Sequence, residues 1–425
     1  MNRNPDIYLL YEYMEKLPFT VRMKAVLDSQ IDEAILSKAA AEAIRRFPYF
    51  SVKIGLDQDQ NYTLEHNDKP IVVIPEKNER LLLGSSEVNG HLFAITYRDN
   101  CIWFNFSHAV CGAPGGLFWV KTTLYLYMTQ KYGALNPPED IKLPGTPVEE
   151  GELFFPDAES LPTDEPISRY SGGDSNLHLP RMLKYLLIPF VKDNYFYQID
   201  IPVKDFMEYA AKIDGSPNTI LTAMMFKTSS GFLKEKEGTF IAGRIAADYR
   251  KDIGADFSYR DFVRFIHIKY EWNMKDEPIE KLNMRARGAV ISQNQPELSF
   301  ERFRRLEKVH KEIDAQPGLK EKKKFASKNS TFRSDPRDNY TISYVGRTDW
   351  GDMANHIKGF YTITDGDLML ELNEVNDKFC ICFELINKDR KPLELFCKVL
   401  DEEKIPYKVS ERFTRYLPKI QFPKP

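Results

Sequence analysis

From Asn136 to Arg181 the chain carries Pro137, Pro138, Pro144, Pro147, Pro156, Pro162, Pro166 and Pro180, a scatter of acidic residues and the run Ser171-Gly172-Gly173. Each proline fixes its own φ, donates no backbone hydrogen bond and turns the residue before it away from the helical region, so no long helix or strand runs through this stretch. A chain of 425 residues also exceeds what one hydrophobic core usually supports. The prolines therefore mark a crossover between an N-terminal subdomain over residues 1–150 and a C-terminal subdomain over 190–425, with the crossover itself at 151–189.

Both halves alternate strand and helix patterns. In the first, 21–27 predicts a strand and 29–47 a helix capped by Asp32, because Ile35, Leu36, Ala39, Ala40, Ala43, Ile44 and Phe47 recur at helical spacing. Pro48 stops that helix, and Arg45 and Arg46 suit the negative end of its dipole. Residues 49–54, 71–74, 92–97 and 102–106 are rich in β-branched and aromatic side chains and predict strands, followed by a helix over 117–131. In the second half, 190–202, 239–247, 360–363, 368–374 and 379–383 predict strands, 340–351 a strand that leaves Gly346 and Asp349-Trp350-Gly351 in a loop, and 203–213, 216–227 and 391–403 helices. The expected fold class is α/β (α+β): two similar subdomains, each a mixed sheet flanked by helices, facing one another across a channel.

One passage carries chemistry. Residues 101–125 read CIWFNFSHAVCGAPGGLFWVKTTLY, an apolar strand with a histidine at its end, a glycine-rich turn and the start of a helix. A histidine where a buried strand meets a loop is held by the sheet while its ring faces open space, as a general base requires. His108 is the candidate catalytic residue. The segment resembles the catalytic region of the chloramphenicol-acetyltransferase-like acyltransferases, the superfamily of peptide-synthetase condensation domains and alcohol acetyltransferases, whose signature is His-x-x-x-Asp-Gly. Here the matching residues are His108, Ala109, Val110, Cys111, Gly112 and Ala113, so the histidine is kept and the aspartate position holds Gly112. The long helix followed by Arg46-Phe47-Pro48 and a strand is similar to the opening of the same proteins, and Asp248-Tyr249-Arg250 after a strand resembles their later Asp-x-Arg.

The resemblance implies that His108 takes the proton from a hydroxyl or amine acceptor, which then attacks an acyl thioester. It implies no permanently bound cofactor: acyl-coenzyme A or acyl-phosphopantetheine would be co-substrate, a small molecule the acceptor, and an acyl-carrier protein a possible partner. In these relatives the motif aspartate locks the loop through a salt bridge to a cation. With Gly112 in its place, Gly115, Gly116 and Pro114 are expected to shape the turn by backbone freedom, and the loop to be held without an ion pair. Asp248 and Arg250 are candidate structural residues, Arg250 being expected to pair with Asp248 or Asp349 or with loop carbonyls. If the lost salt bridge limits the chemistry, Gly112→Asp raises activity.

Composition narrows the alternatives. A net charge of −3 and a pI near 6.2 provide no general field toward nucleic acid or an anionic membrane. The N-terminal residues lack the apolar run of a signal peptide and no stretch is apolar enough to span a bilayer, so a cytoplasmic protein is expected. Cys101, Cys111, Cys380, Cys382 and Cys397 form no CxxC and indicate reduced, packed thiols rather than a disulfide or metal framework. Cys111 beside His108 is more simply a packed residue than a nucleophile, since the loop holds no cation to stabilise a thiolate. Ser107 lacks the Gly-x-Ser-x-Gly elbow of a hydrolase. The basic residues of 300–328 read either as a solvated helix face or as a docking face for coenzyme A phosphates or an acidic carrier protein. Asp349-Trp350-Gly351 only partly echoes a motif of the plant-type acyltransferases and is given no role. Two readings stand: an acyltransferase with His108 as base, and a retired member of the fold acting as a binding or scaffold protein.

Overall fold

The structure, a computed structural model, describes residues 5–15, 18–77, 79–167, 195–235, 239–329, 338–344, 346–364, 368–385, 389–410 and 417–423. Ser171-Gly172-Gly173, the start of the strand expected from residue 190 and His178 lie outside the described residues.

The first half supplies β1 (Thr20–Leu27), β2 (Val52–Leu56), β3 (Tyr62–His66), β4 (Val73–Pro75), β5 (Leu82–Leu83), β6 (Phe93–Arg98) and β7 (Cys101–Ser107). The second supplies β8 (Tyr195–Pro202), β9 (Phe240–Asp248), β10 (Val263–Glu271), β11 (Tyr340–Tyr344), β12 (Ile357–Ile363), β13 (Met369–Val375), β14 (Lys378–Leu385), β15 (Lys408–Val409) and β16 (Lys419–Ile420). Two sheets dominate, ordered β12-β1-β7-β6-β4 and β10-β9-β11-β13-β14-β8-β15, while β2-β3 and β16-β5 form small ribbons. Both large sheets are mixed: β4 runs parallel to β6 in the first, and β11 runs parallel to both β9 and β13 in the second.

The period of two along each strand sorts the side chains. In β1, Val21, Met23, Ala25 and Leu27 enter the first core, and Arg22 and Lys24 take the opposite face. In β14, Phe379, Ile381, Phe383 and Leu385 enter the second core, leaving Cys380, Cys382 and Glu384 on the other face. These second faces are turned toward each other. Ile363 of β12 packs with Phe196 of β8 and Cys382 of β14, and Tyr361 of β12 donates to Asp200 of β8 at 2.6 Å. The inner face of the second sheet buries Glu371, whose carboxyl is raised to about 7 by burial against weaker opposing bonds from Thr364 and Ser343.

Helices close the outer faces. The helix α1 (Leu9–Glu12) precedes β1; α2 (Glu33–Ala43) is capped by Asp32, whose carboxylate accepts the Ile35 N–H at 3.0 Å; and α3 (Ala113–Tyr132) follows β7. The helical stretch expected to reach Phe47 tightens into a 3-10 turn at Ile44–Arg46, and Pro48–Phe50 forms another, so the strand expected from Tyr49 begins at Val52. Pro48 has no N–H for a ladder, which defers pairing past that turn. The basic stretch forms two helices, Pro296–Asp314 and Gly318–Lys328, joined through Pro317.

The two halves also exchange elements. β12 lies beside β1 in the first sheet, and Val309, Ile313 and Ala326 enter the first core. The partition at 151–189 therefore does not separate the sheets cleanly. Sequence order cannot show this, because an edge strand chooses its neighbour by exposed ladder groups and apolar face rather than by chain proximity.

Candidate active site

His108 is carried at the end of β7, which lies between β1 and β6 in the first sheet. Its own N–H donates to Phe19 O at 2.8 Å, extending the β7–β1 ladder by one bond past the strand. Ser107 folds the chain back: its Oγ accepts the Ala109 N–H at 3.1 Å and its carbonyl the Val110 N–H at 3.1 Å. That hydroxyl is buried and engaged as a turn former, which supports no role as a nucleophile. Ala109, Val110 and Cys111 are buried behind it.

The glycines work differently from the expectation. Gly112 is the N-cap of α3 with extended backbone, φ −69° and ψ 164°, and Gly115 and Gly116 lie inside the helix, so none of the three uses the left-handed region. They permit close approach instead. A Cβ at Gly115 would stand 1.9 Å from Tyr259 O, and one at Gly116 2.4 Å from the Phe106 ring. At Gly112 it would stand 3.1 Å from both Cα and Oδ1 of Asp261. The start of α3, expected at Leu117, is thus pressed against a segment of the second half, and Pro114 fits its first turn, where a missing N–H costs nothing.

That segment, Ser258 to Phe262, is tied down from several sides. Arg250 pairs with Asp248 and donates Nε to Ser258 O at 2.8 Å and Nη2 to Arg260 O at 2.6 Å. Ser258 Oγ donates to Phe154 O at 2.9 Å and Tyr259 N–H to Glu152 O at 3.1 Å. Glu152 in turn holds Arg46 through both carboxylate oxygens at 2.5 and 3.1 Å and accepts from Tyr49 at 2.7 Å. Burial pushes the Glu152 carboxyl up, but the Arg46 and Tyr49 bonds outweigh it and hold it at about 2. Asp349 stays apart from Arg250 and accepts the N–H groups of Glu139 and Gly351, both at 3.0 Å, while Trp350 packs on Phe360.

The segment delivers Asp261, whose Oδ2 stands 3.8 Å from His108 Nδ1. A carboxylate of the second half therefore stands beside the histidine loop, though with the ring neutral and His108 Nδ1 without a hydrogen bond it makes no ion pair to it. Asp261 N–H donates to both oxygens of Asp6, at 3.4 and 3.2 Å. Burial, and next the Asp261 charge, push the Asp6 carboxyl well up, toward its neutral form. Burial lowers His108 below the ordinary histidine value against the weaker upward pull of Asp261 and the Cys111 backbone, so the ring is neutral near pH 7. Burial, then Asp6 and Asp261, push the Cys111 thiol far up, which disfavours a thiolate and fits a packed cysteine.

The basic stretch is not one continuous patch. Lys322 is buried, its ammonium bound to Asn61 Oδ1 at 2.7 Å and Asp314 O at 2.8 Å, and Lys323 lies over the Phe422 ring. Arg304, Lys308 and Lys311 line an open groove of about 490 Å³ with Ala158 and Thr163, interleaved with Glu307 and Glu312. The other described histidines bond or stack locally: His91 to Lys69 O, His267 to Asp338, His66 to Asp68, His310 on Tyr8 and His356 on Tyr132. Among the described residues no group of three or more His, Cys, Asp or Glu is placed to hold a metal ion, and no helix is long and apolar enough to cross a membrane.

No family model matches the chain. No curated protein matches its sequence. Solved structures do match its fold along nearly the whole length. The Fusarium graminearum TRI101 structure complexed with coenzyme A and deoxynivalenol has a TM-score of 0.58 at 11% identity, covering 96% of this chain and 98% of that one. Polyketide synthase associated protein 5 from Mycobacterium tuberculosis gives 0.55 at 14%, covering 93% and 95%. The first condensation domain of the CDA synthetase gives 0.55 at 10%, covering 95% and 98%. The chain has the two-lobed fold of the chloramphenicol-acetyltransferase-like and condensation-domain proteins.

Proposed function

We propose that the protein is an O- or N-acyltransferase that moves an acyl group from a thioester of coenzyme A or a phosphopantetheine carrier to a small hydroxyl or amine acceptor. The observation that carries this reading is His108: a neutral imidazole at the end of a strand within the first sheet, with a buried carboxylate 3.8 Å behind its Nδ1. Nε2 takes the acceptor proton as the acceptor oxygen or nitrogen attacks the thioester carbonyl. The tetrahedral adduct collapses with loss of the thiolate, to which the imidazolium returns the proton. The free thiols at all five cysteines accord with a cytoplasmic setting.

The test is turnover on a panel of acyl-coenzyme A and acyl-phosphopantetheine donors with alcohol and amine acceptors, read as acceptor-dependent thiol release. Release by the wild-type protein supports the proposal. Its absence over the whole panel favours the scaffold reading, for which the loss of the motif aspartate at Gly112 is the one observation.

A further inference from the structure

A neutral imidazole carries its proton on either nitrogen, and only the Nδ1–H form leaves Nε2 free to accept one. What stands at Nδ1 therefore decides whether His108 can act. His108 Nδ1 and Asp261 Oδ1 are both buried, and neither makes a hydrogen bond, although Asp261 Oδ2 is 3.8 Å from that nitrogen. Buried polar atoms left unsatisfied are each costly, and these two belong to side chains that meet through Asp261 Oδ2. The separation is that of an active site before substrate arrives, where such contacts are commonly long and tighten in the complex.

The surroundings are built for this approach. Gly112 carries no side chain where a Cβ would press on Asp261, and Gly115 lets α3 close on Tyr259 O. Arg250 fixes the carbonyls of Ser258 and Arg260 just ahead of Asp261. Burial, and next the Asp261 charge, push the Asp6 carboxyl beside Asp261 toward its neutral form. The other groups that reach this cluster are Arg250, Arg260, Tyr249, Tyr259, the Cys111 thiol and the Cys111 backbone; burial raises the tyrosines and the thiol.

We infer that Asp261 is a positioning residue that holds His108 as the Nδ1–H tautomer, a carboxylate of the second lobe set against the ring of the first. This rests on the acyltransferase reading only for its catalytic consequence; the hold on the ring is a property of the folded protein. In Asp261→Asn the ring loses the larger of the two influences that draw its titration upward, the Cys111 backbone being the other, so its midpoint moves further below the ordinary histidine value.

The experiment is ¹⁵N and ¹³C NMR of the His108 ring, assigned by His108→Gln, with pH titration of the full-length wild type and of Asp261→Asn. The wild-type ring is expected to be Nδ1–H, and Asp261→Asn to titrate at lower pH with a mixed tautomer. In turnover, kcat falls by roughly 10–100-fold with KM little changed. A wild-type ring in the Nε2–H form overturns the inference, and that observation needs no variant to fold. So does an Asp261→Asn protein whose tautomer and titration match the wild type, even if its activity falls. If the wild type transfers no acyl group, the proposed function fails while the ring measurement still decides the role of Asp261.

Discussion

Restoring the motif aspartate with Gly112→Asp is the perturbation on which sequence and structure disagree most. The backbone at Gly112 is extended and an N-cap aspartate is locally favourable, but relative to glycine that gain is only a few tenths of a kcal/mol. Against it, the new Cβ stands 3.1 Å from Asp261 Cα, a backbone atom in a segment tied by Arg250, Ser258 and Tyr259. Overpacking of this kind costs about 1–3 kcal/mol. The added carboxyl also enters a buried site beside Asp261 and Asp6, where it must take up a proton or face like charge, at about 1.4 kcal/mol for each unit its pKa is raised. The net expectation is a loss of about 2–4 kcal/mol at pH 7, with activity reduced rather than restored. The sign with pH follows: a carboxyl raised in the folded state binds its proton there more tightly than in the unfolded chain. Its penalty is therefore absent below about pH 4 and grows as pH rises through its folded value. Urea denaturation of wild type, Gly112→Ala and Gly112→Asp at pH 5 and pH 8 separates the steric part, common to both variants, from the charge part confined to the aspartate. A Gly112→Asp protein as stable as wild type at pH 8, or more active, would refute the packing argument.

Three further outcomes are expected. Gly115→Ala places a Cβ 1.9 Å from Tyr259 O and should shift α3, costing more than the 1–3 kcal/mol of ordinary overpacking, read as a lowered denaturation midpoint and a weakened near-UV signal. Glu152→Gln leaves the buried Arg46 without its carboxylate and should cost about 3–5 kcal/mol at pH 7; because Glu152 is held at about 2, the difference from wild type should shrink as pH falls from 4.5 toward 2. Glu371, raised to about 7, has the opposite sign: wild-type stability should decline between pH 4.5 and 7 by up to about 3 kcal/mol through this group, and Glu371→Gln should flatten that decline in a pH series of denaturation midpoints.

Much of the fold was legible because each half alternates cleanly between the two periods. β1 places Val21, Met23, Ala25 and Leu27 on one face, and α2 buries Leu36, Ala39, Ala40 and Ala43 behind an Asp32 cap. The Pro-rich stretch reads as the crossover between the halves, but residues 168–194 lie outside the described ones and β12 crosses back to the first sheet. Long-range pairing was not legible. Nothing local to residues 357–363 says that they pair with β1, 330 and more positions earlier in the chain, rather than with β13 just ahead. The site was half legible. His108 shows itself by a lone histidine at the end of an apolar strand, and the expected Asp248 partner of Arg250 is present. Asp261 and Asp6 carry no sequence signal, since Arg260-Asp261-Phe262 resembles any solvated turn; their importance arises from burial and from contact across the lobes. The three glycines were noticed for their conformational freedom, whereas the structure uses their small size, a distinction that depends on what packs opposite each Cα.

The central claim is that His108 is the base of an acyl transfer, and single-turnover thiol release tests it most directly. With the donor and acceptor found by the panel, wild type and His108→Ala are compared at pH 8 with folding checked by circular dichroism. The account predicts acceptor-dependent release in the wild type and a loss of roughly 10²–10⁴-fold in the variant. Equal rates in two equally folded proteins would contradict it.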